Sequence, residues 1–152
     1  MQKPRVVEST VRVRYAETDA EGVVYYANHF IYMEVGRVNY FRAVGIEPAD
    51  LDRSGWGIVI SEATCHYHAP ARFDDRLIIR TWVENVRRSS FAFVYEIVRA
   101  PDRCVIAAGR TVQVIVDLDT MRPIRLPPEV RDILSAAAAP SNCEPSSQDS
   151  PC

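Results

Sequence analysis

The chain has 152 residues, 47% apolar and 25% charged, a balance that fits one globular domain and excludes a disordered or fibrous protein. Its 18 basic and 20 acidic residues leave a net charge of −2, so no basic excess draws nucleic acid or an anionic membrane as a main partner. No apolar run approaches the roughly 20 residues of a transmembrane helix, and the start Met1–Arg5 has no signal-peptide core, so a cytoplasmic protein without membrane insertion is expected.

Val6 to Tyr15 alternates and is rich in Val and Thr, which predicts a strand. Ala16 to Gly22 is a polar loop with three acids, Glu17, Asp19 and Glu21, and a closing glycine. From Tyr26 to Val44 the spacing turns helical. Tyr26, Phe30, Met33, Arg37, Phe41 and Val44 form one stripe; Ile31, Val35, Val38 and Arg42 form another. Two stripes predict a helix covered on most of its circumference. Gly45 stands where a C-terminal cap belongs. Pro48 opens a turn-rich stretch that ends at Gly55-Trp56-Gly57. Four strands follow, at Ile58–His68, Leu77–Arg87, Phe91–Arg99 and Val105–Leu118, and Pro127–Ala138 reads as a short closing helix. The domain is expected to span residues 1–138. Residues 139–152, rich in Pro and Ser, read as a disordered tail. The four cysteines show no CxxC pair or regular spacing and read as free thiols. A long, largely apolar helix followed by four strands is an α+β pattern, in which a curved antiparallel sheet wraps the helix and a second subunit adds cover.

The chemistry concentrates where the acidic loop runs into the helix. A helix start offers free backbone N–H groups and the positive end of the macrodipole, a place for an oxygen gaining negative charge. A carboxylate in the preceding loop could activate water or attack a carbonyl polarised there, which suggests acyl transfer or hydrolysis. The plainer alternative is that Glu17, Asp19 and Glu21 only offset the helix dipole, for about 0.3–1 kcal/mol each.

The ordered run Arg14-Tyr15, Glu17-Thr18-Asp19, Gly22-Val23-Val24-Tyr25-Tyr26, Asn28, Tyr32, Glu34, Arg37 and Arg42 resembles the signature of the 4-hydroxybenzoyl-CoA thioesterase family of hotdog-fold proteins. The form it is most similar to is the acyl-CoA thioesterase associated with the bacterial Tol–Pal cluster. The resemblance is dense over about 30 residues and looser to about residue 135. It implies a five-stranded antiparallel sheet wrapped around one long central helix. It also implies a homodimer with active sites at the subunit interface, often paired again into a homotetramer. The activity it implies is hydrolysis of a short, medium or aromatic acyl-CoA to the free acid and coenzyme A. Asp19 then serves as general base or nucleophile, the Tyr26 N–H polarises the thioester carbonyl, and Asn28 matches a position near the site. A thiol of pKa near 8.5 leaves without obligatory protonation, so one ionised carboxylate suffices. In the family, basic residues near the turn between the middle strands hold the coenzyme A phosphates. Arg87 and Arg88 occupy that place, with Ser89 where the pattern often has a third base. Arginine's fork suits phosphate. No metal or redox cofactor is expected, coenzyme A being part of the substrate.

Other residues read more plainly. His66 and His68 share a strand face but lack a third ligand for a metal. His29 reads as a packing or cap residue and Glu34 as the partner of Arg37 at i,i+3. Trp56 and Gly57 either line the acyl pocket or turn the chain. Two other functions remain open: a thioesterase acting on acyl-carrier protein, and a non-catalytic acyl-CoA-binding protein.

Overall fold

A computed structural model describes residues 5–140, apart from the side chains of residues 52 and 53. Its strands are β1 (Val7–Arg12), β2 (Trp56–Tyr67), β3 (Arg76–Glu84), β4 (Ser90–Ala100) and β5 (Cys104–Asp117); its helices are α1 (Asn28–Ala43), α2 (Pro48–Arg53) and α3 (Pro128–Ala137). The strands form one sheet in the order β1-β3-β4-β5-β2, antiparallel throughout. This is the five-stranded hotdog arrangement, with α1 packed on the inner face of the sheet.

The core explains the packing. Leu77, Ile79 and Val83 of β3, and Phe91, Phe93, Tyr95 and Ile97 of β4, alternate toward α1 and are buried. Tyr40 and Phe41 of α1 meet Phe93 edge-on, with ring centroids 5.3 and 5.2 Å away. Gly36 lets the helix backbone come down on Ile79 and Thr81. The outer face of the sheet carries ion pairs instead, Arg80–Glu96 at 2.8 Å and Arg110–Glu84 at 3.3 Å.

Several expectations change in detail. Residues 48–53, expected as turns, form α2. The helix starts at Asn28 rather than Tyr26. It ends as expected, with Gly45 at φ +88° and the Ile46 N–H bonded back to the Phe41 carbonyl at 2.8 Å. Only one arc of α1 is covered within the chain. Ile31 on the second stripe stays 51% exposed, because the sheet lies on one side of the helix. Cys65 is a free thiol, but Cys104 is disulfide-bonded, which corrects the reading of four free thiols. Spacing along the chain does not show which thiols are oxidised. Of the expected tail, only Ala139 and Pro140 lie within the described residues, and the Ala139 N–H bonds the Val83 carbonyl at 2.8 Å.

Candidate active site

The loop after β1 is held by Glu17. This residue closes a single 3-10 turn, Tyr15–Glu17, and its carboxylate is buried. Oε1 accepts from the Arg14 N–H at 2.8 Å and from the Tyr32 hydroxyl at 3.1 Å, and Oε2 from the Arg14 guanidinium at 3.2 Å. Burial alone would push this carboxyl up; the donors outweigh it and hold Glu17 below its ordinary value. The backbone carbonyl of Glu17 accepts the Tyr25 N–H at 2.9 Å and Asn28 Nδ2 at 2.8 Å. One residue thus ties Arg14, just past β1, to the returning arm of the loop and the start of α1.

Beyond Glu17 the chain folds into a tight hairpin. Asp19 donates its N–H to Val23 O at 2.9 Å, Gly22 donates to Asp19 O at 3.0 Å, and Gly22 takes φ +78°, which glycine adopts freely. Asp19 Oδ1 accepts the N–H groups of Glu21 at 3.0 Å and Val23 at 3.4 Å. Its Oδ2 has no partner among the described residues. The returning arm is pinned to the segment before β3 by the Val24 N–H on Ala71 O at 2.8 Å.

That arm feeds directly into α1. Among the described residues no side chain caps the helix N-terminus. Tyr25 O accepts the Asn28 N–H at 2.9 Å, and the Tyr26 and Ala27 N–H groups find no acceptor among the described residues. Tyr26 is 61% exposed. Asp19 thus sits in the turn of a hairpin whose returning arm leads to Tyr26 and the open helix start, and the Asn28 amide ties that start to the Glu17 carbonyl.

Arg87, Arg88 and Ser89 do not join them within one chain. They lie in the β3–β4 turn, where Arg87 N–H bonds Ser90 O at 2.7 Å, Ser89 O accepts the Ile115 N–H at 3.0 Å and Arg88 O accepts the Leu126 N–H at 2.8 Å. The two arginines are exposed. Arg87 lines a cleft of about 230 Å³ with Asn85, Glu62, Ala92, Arg110 and Val112. The Asp19 hairpin is joined to the start of β3 and this turn follows its end, so the nine residues of β3, roughly 25–30 Å, separate them.

Other candidates are placed differently. His29 is buried at the helix start. Burial pushes its imidazole down, against bonds to the Tyr26 and Tyr25 carbonyls, so it stays neutral near pH 7. Glu34 is exposed, and no ion pair joins it to Arg37 among the described residues. Trp56 and Gly57 open β2, where Gly57 packs against the Leu118 side chain. His66 and His68 are both exposed. Among the described residues no group of three His, Cys, Asp or Glu side chains could hold a metal ion, and no helix is long and apolar enough to cross a membrane. Sequence reasoning missed the part played by Tyr32 and Tyr67. Tyrosines read as core or surface aromatics, and nothing in their spacing shows where a hydroxyl lands.

Residues 13–134 match the model of the thioesterase-like superfamily. The acyl-CoA thioester hydrolase YbgC of Escherichia coli O6:H1 is 34% identical over 120 residues, which cover 79% of this chain and 89% of that protein. The acyl-CoA thioesterase YbgC of Haemophilus influenzae is 32% identical over 123 residues, 80% of this chain and 88% of that protein. Among solved structures, the DHNA-CoA thioesterase of Staphylococcus aureus matches with a TM-score of 0.80 at 28% identity, covering 86% of this chain and 87% of that one.

Proposed function

The chain belongs to the thioesterase-like superfamily, and from that premise we propose that it hydrolyses acyl-CoA thioesters to a free acid and coenzyme A, with Asp19 as the catalytic carboxylate. The observation that carries this reading is the hairpin that presents Asp19 in its turn and then delivers the chain to the open start of α1. The unpaired Tyr26 N–H and the helix dipole favour a carbonyl oxygen that gains negative charge as the thioester is attacked. The Asp19 carboxylate takes a proton from the attacking water, or attacks the carbonyl itself to form an acyl-aspartyl anhydride that water then cleaves to the free acid. Either way the C–S bond breaks, and coenzyme A leaves as its thiolate. Asn28 keeps the hairpin and the helix start in register through Glu17. The acyl-CoA substrate follows the names of the relatives.

The working unit in this reading is a dimer. Two features support it: the partly uncovered outer stripe of α1, and β2, an edge strand whose residues from Ser61 to Tyr67 are mostly exposed. An antiparallel, two-fold pairing of β2 with its copy reverses the second sheet end for end. The Asp19 end of one subunit then lies beside the Arg87–Arg88 turn of the other, which brings phosphate-binding charge to the reacting carboxylate.

Thiol release from a panel of acyl-CoAs, aliphatic and aromatic, tests the reading, with Asp19→Asn alongside. Turnover on some member, reduced by about 10³-fold or more in the variant, is expected. Turnover that survives Asp19→Asn would move catalysis to another group. No turnover from a folded oligomer would sink the reading.

A further inference from the structure

We infer that Tyr67 and His29 are positioning residues for this reaction: together they clamp the Tyr26 carbonyl and so fix the Ala27 N–H as a second donor beside the Tyr26 N–H. The inference rests on the thioesterase reading above. The first turn of α1 is irregular. A carbonyl at a helix start normally accepts the N–H four residues on. Here the Phe30 N–H turns instead to Ala27 O at 3.1 Å, and among the described residues Tyr26 O has one long backbone contact, from the His29 N–H at 3.4 Å. Two side chains replace the missing partner. The Tyr67 hydroxyl donates to Tyr26 O at 2.9 Å, reaching across from the end of β2. His29 Nδ1 lies 2.9 Å from the same oxygen. A carbonyl only accepts, so Nδ1 must carry the hydrogen. The two donors also brace one another, with ring centroids 4.8 Å apart and planes at 88°.

The consequence follows from peptide geometry. In a planar trans peptide the N–H points opposite to the C=O of the same unit. Holding Tyr26 O in place therefore aims the Ala27 N–H back out of the helix start. The preceding unit is held in the same way, since Tyr25 O accepts the Asn28 N–H at 2.9 Å and thereby aims the Tyr26 N–H. The Tyr26 and Ala27 N–H groups, which find no acceptor among the described residues, are those whose peptide-unit carbonyls, Tyr25 O and Tyr26 O, are tied down. Donors on a carbonyl polarise its peptide and strengthen the N–H opposite. The clamp spans two elements, β2 and α1, so it holds the helix start against the sheet where charge develops during the reaction.

The test uses Tyr67→Phe and His29→Phe, which keep the rings and remove the donors, and His29→Asn, which restores a donor near the Nδ1 position. Each variant is checked for the wild-type oligomer and melting behaviour. Two readouts follow: steady-state kinetics on whichever acyl-CoA the wild type turns over, and the Tyr26 carbonyl carbon and Ala27 amide signals in isotope-labelled protein. Tyr67→Phe and His29→Phe are each expected to lower kcat about tenfold with KM nearly constant, as for an interaction realised mainly in the transition state. The Tyr26 carbonyl signal should move in both, and His29→Asn should recover most of kcat. An unmoved carbonyl signal in both Phe variants overturns the clamp. A moved signal with kcat unchanged, or a loss confined to KM, overturns its positioning role. If the wild type releases thiol from no acyl-CoA, the thioesterase reading fails, and the carbonyl signal alone judges the clamp.

Discussion

Glu17 shows how much of the site rests on a residue that does no chemistry in the proposed reaction. In the sequence it is one of three acids in a polar loop, equal to Asp19 and Glu21. In the fold it is buried and takes three donors on its carboxylate and two on its carbonyl, whereas Asp19 keeps one oxygen without a partner among the described residues. Glu17→Gln replaces an acceptor-only group with one that must present an amide to those donors. A loss of about 1–3 kcal/mol in unfolding free energy is expected. The exposed Arg14 side chain adds little of that, because water screens it. The sign of the pH effect is fixed by the direction of the shift. The folded carboxyl titrates below its ordinary value of 4.5, so its contribution is whole above that value and is lost as pH falls through the folded one. Melting curves across that acid range should fall more steeply for the wild type than for Glu17→Gln. Parallel slopes would assign the acid sensitivity to other groups.

Helix α1 is the element on which sequence reasoning was partly right. Its existence, approximate span and glycine stop follow from spacing alone. Its buried face does not. The residues it buries include Tyr32, Gly36 and Tyr40, none of which belongs to either stripe counted from apolar residues. Tyrosine buries its ring while its hydroxyl finds a partner, and glycine contributes by what it lacks. A Cβ added at Gly36 would sit 2.7 Å from Ile79 Cγ2 and closer still to Thr81 Oγ1. Both residues are fully buried and have no room to yield. Gly36→Ala is therefore expected to lower stability by about 1–3 kcal/mol despite alanine's better helix propensity, read as a drop in denaturation midpoint. A neutral or stabilising result would show that α1 can lift away from β3 at little cost.

At the scale of the whole molecule, the sheet has two ends and the candidate residues are divided between them. Asp19, Tyr26 and Asn28 lie at one end; Arg87, Arg88 and Ser89 follow the other end of β3. In the proposed dimer each site draws its carboxylate from one chain and its arginines from the partner. Asp19→Asn and Arg87→Ala/Arg88→Ala proteins should each be impaired alone, the second mainly through a raised, salt-sensitive KM. Mixed and reassembled, they should regain activity at roughly a quarter of the sites, since half the dimers are mixed and each has one intact site. Sites built within single chains would give no recovery. Ile31→Glu, on the exposed stripe of α1, should shift sedimentation toward the monomer and lower turnover with it. An unchanged oligomer would place the interface elsewhere.

The amino-acid sequence alone shows the five strands, the long helix, the closing helix and their order, though not α2, because alternation, helical spacing and glycine stops are local properties of the backbone. It also determined the family, because the signature from Arg14 to Arg42 lies in one unbroken stretch. Tertiary structure decided what depends on distant residues meeting: the short helix α2, the bonded Cys104, the Glu17 knot, and the two side chains, one from β2, that converge on the Tyr26 carbonyl. It also decided that one linear list of site residues is divided between the two ends of a sheet. Strand direction sets that division, and it emerges only when β3 pairs with β1 and β4.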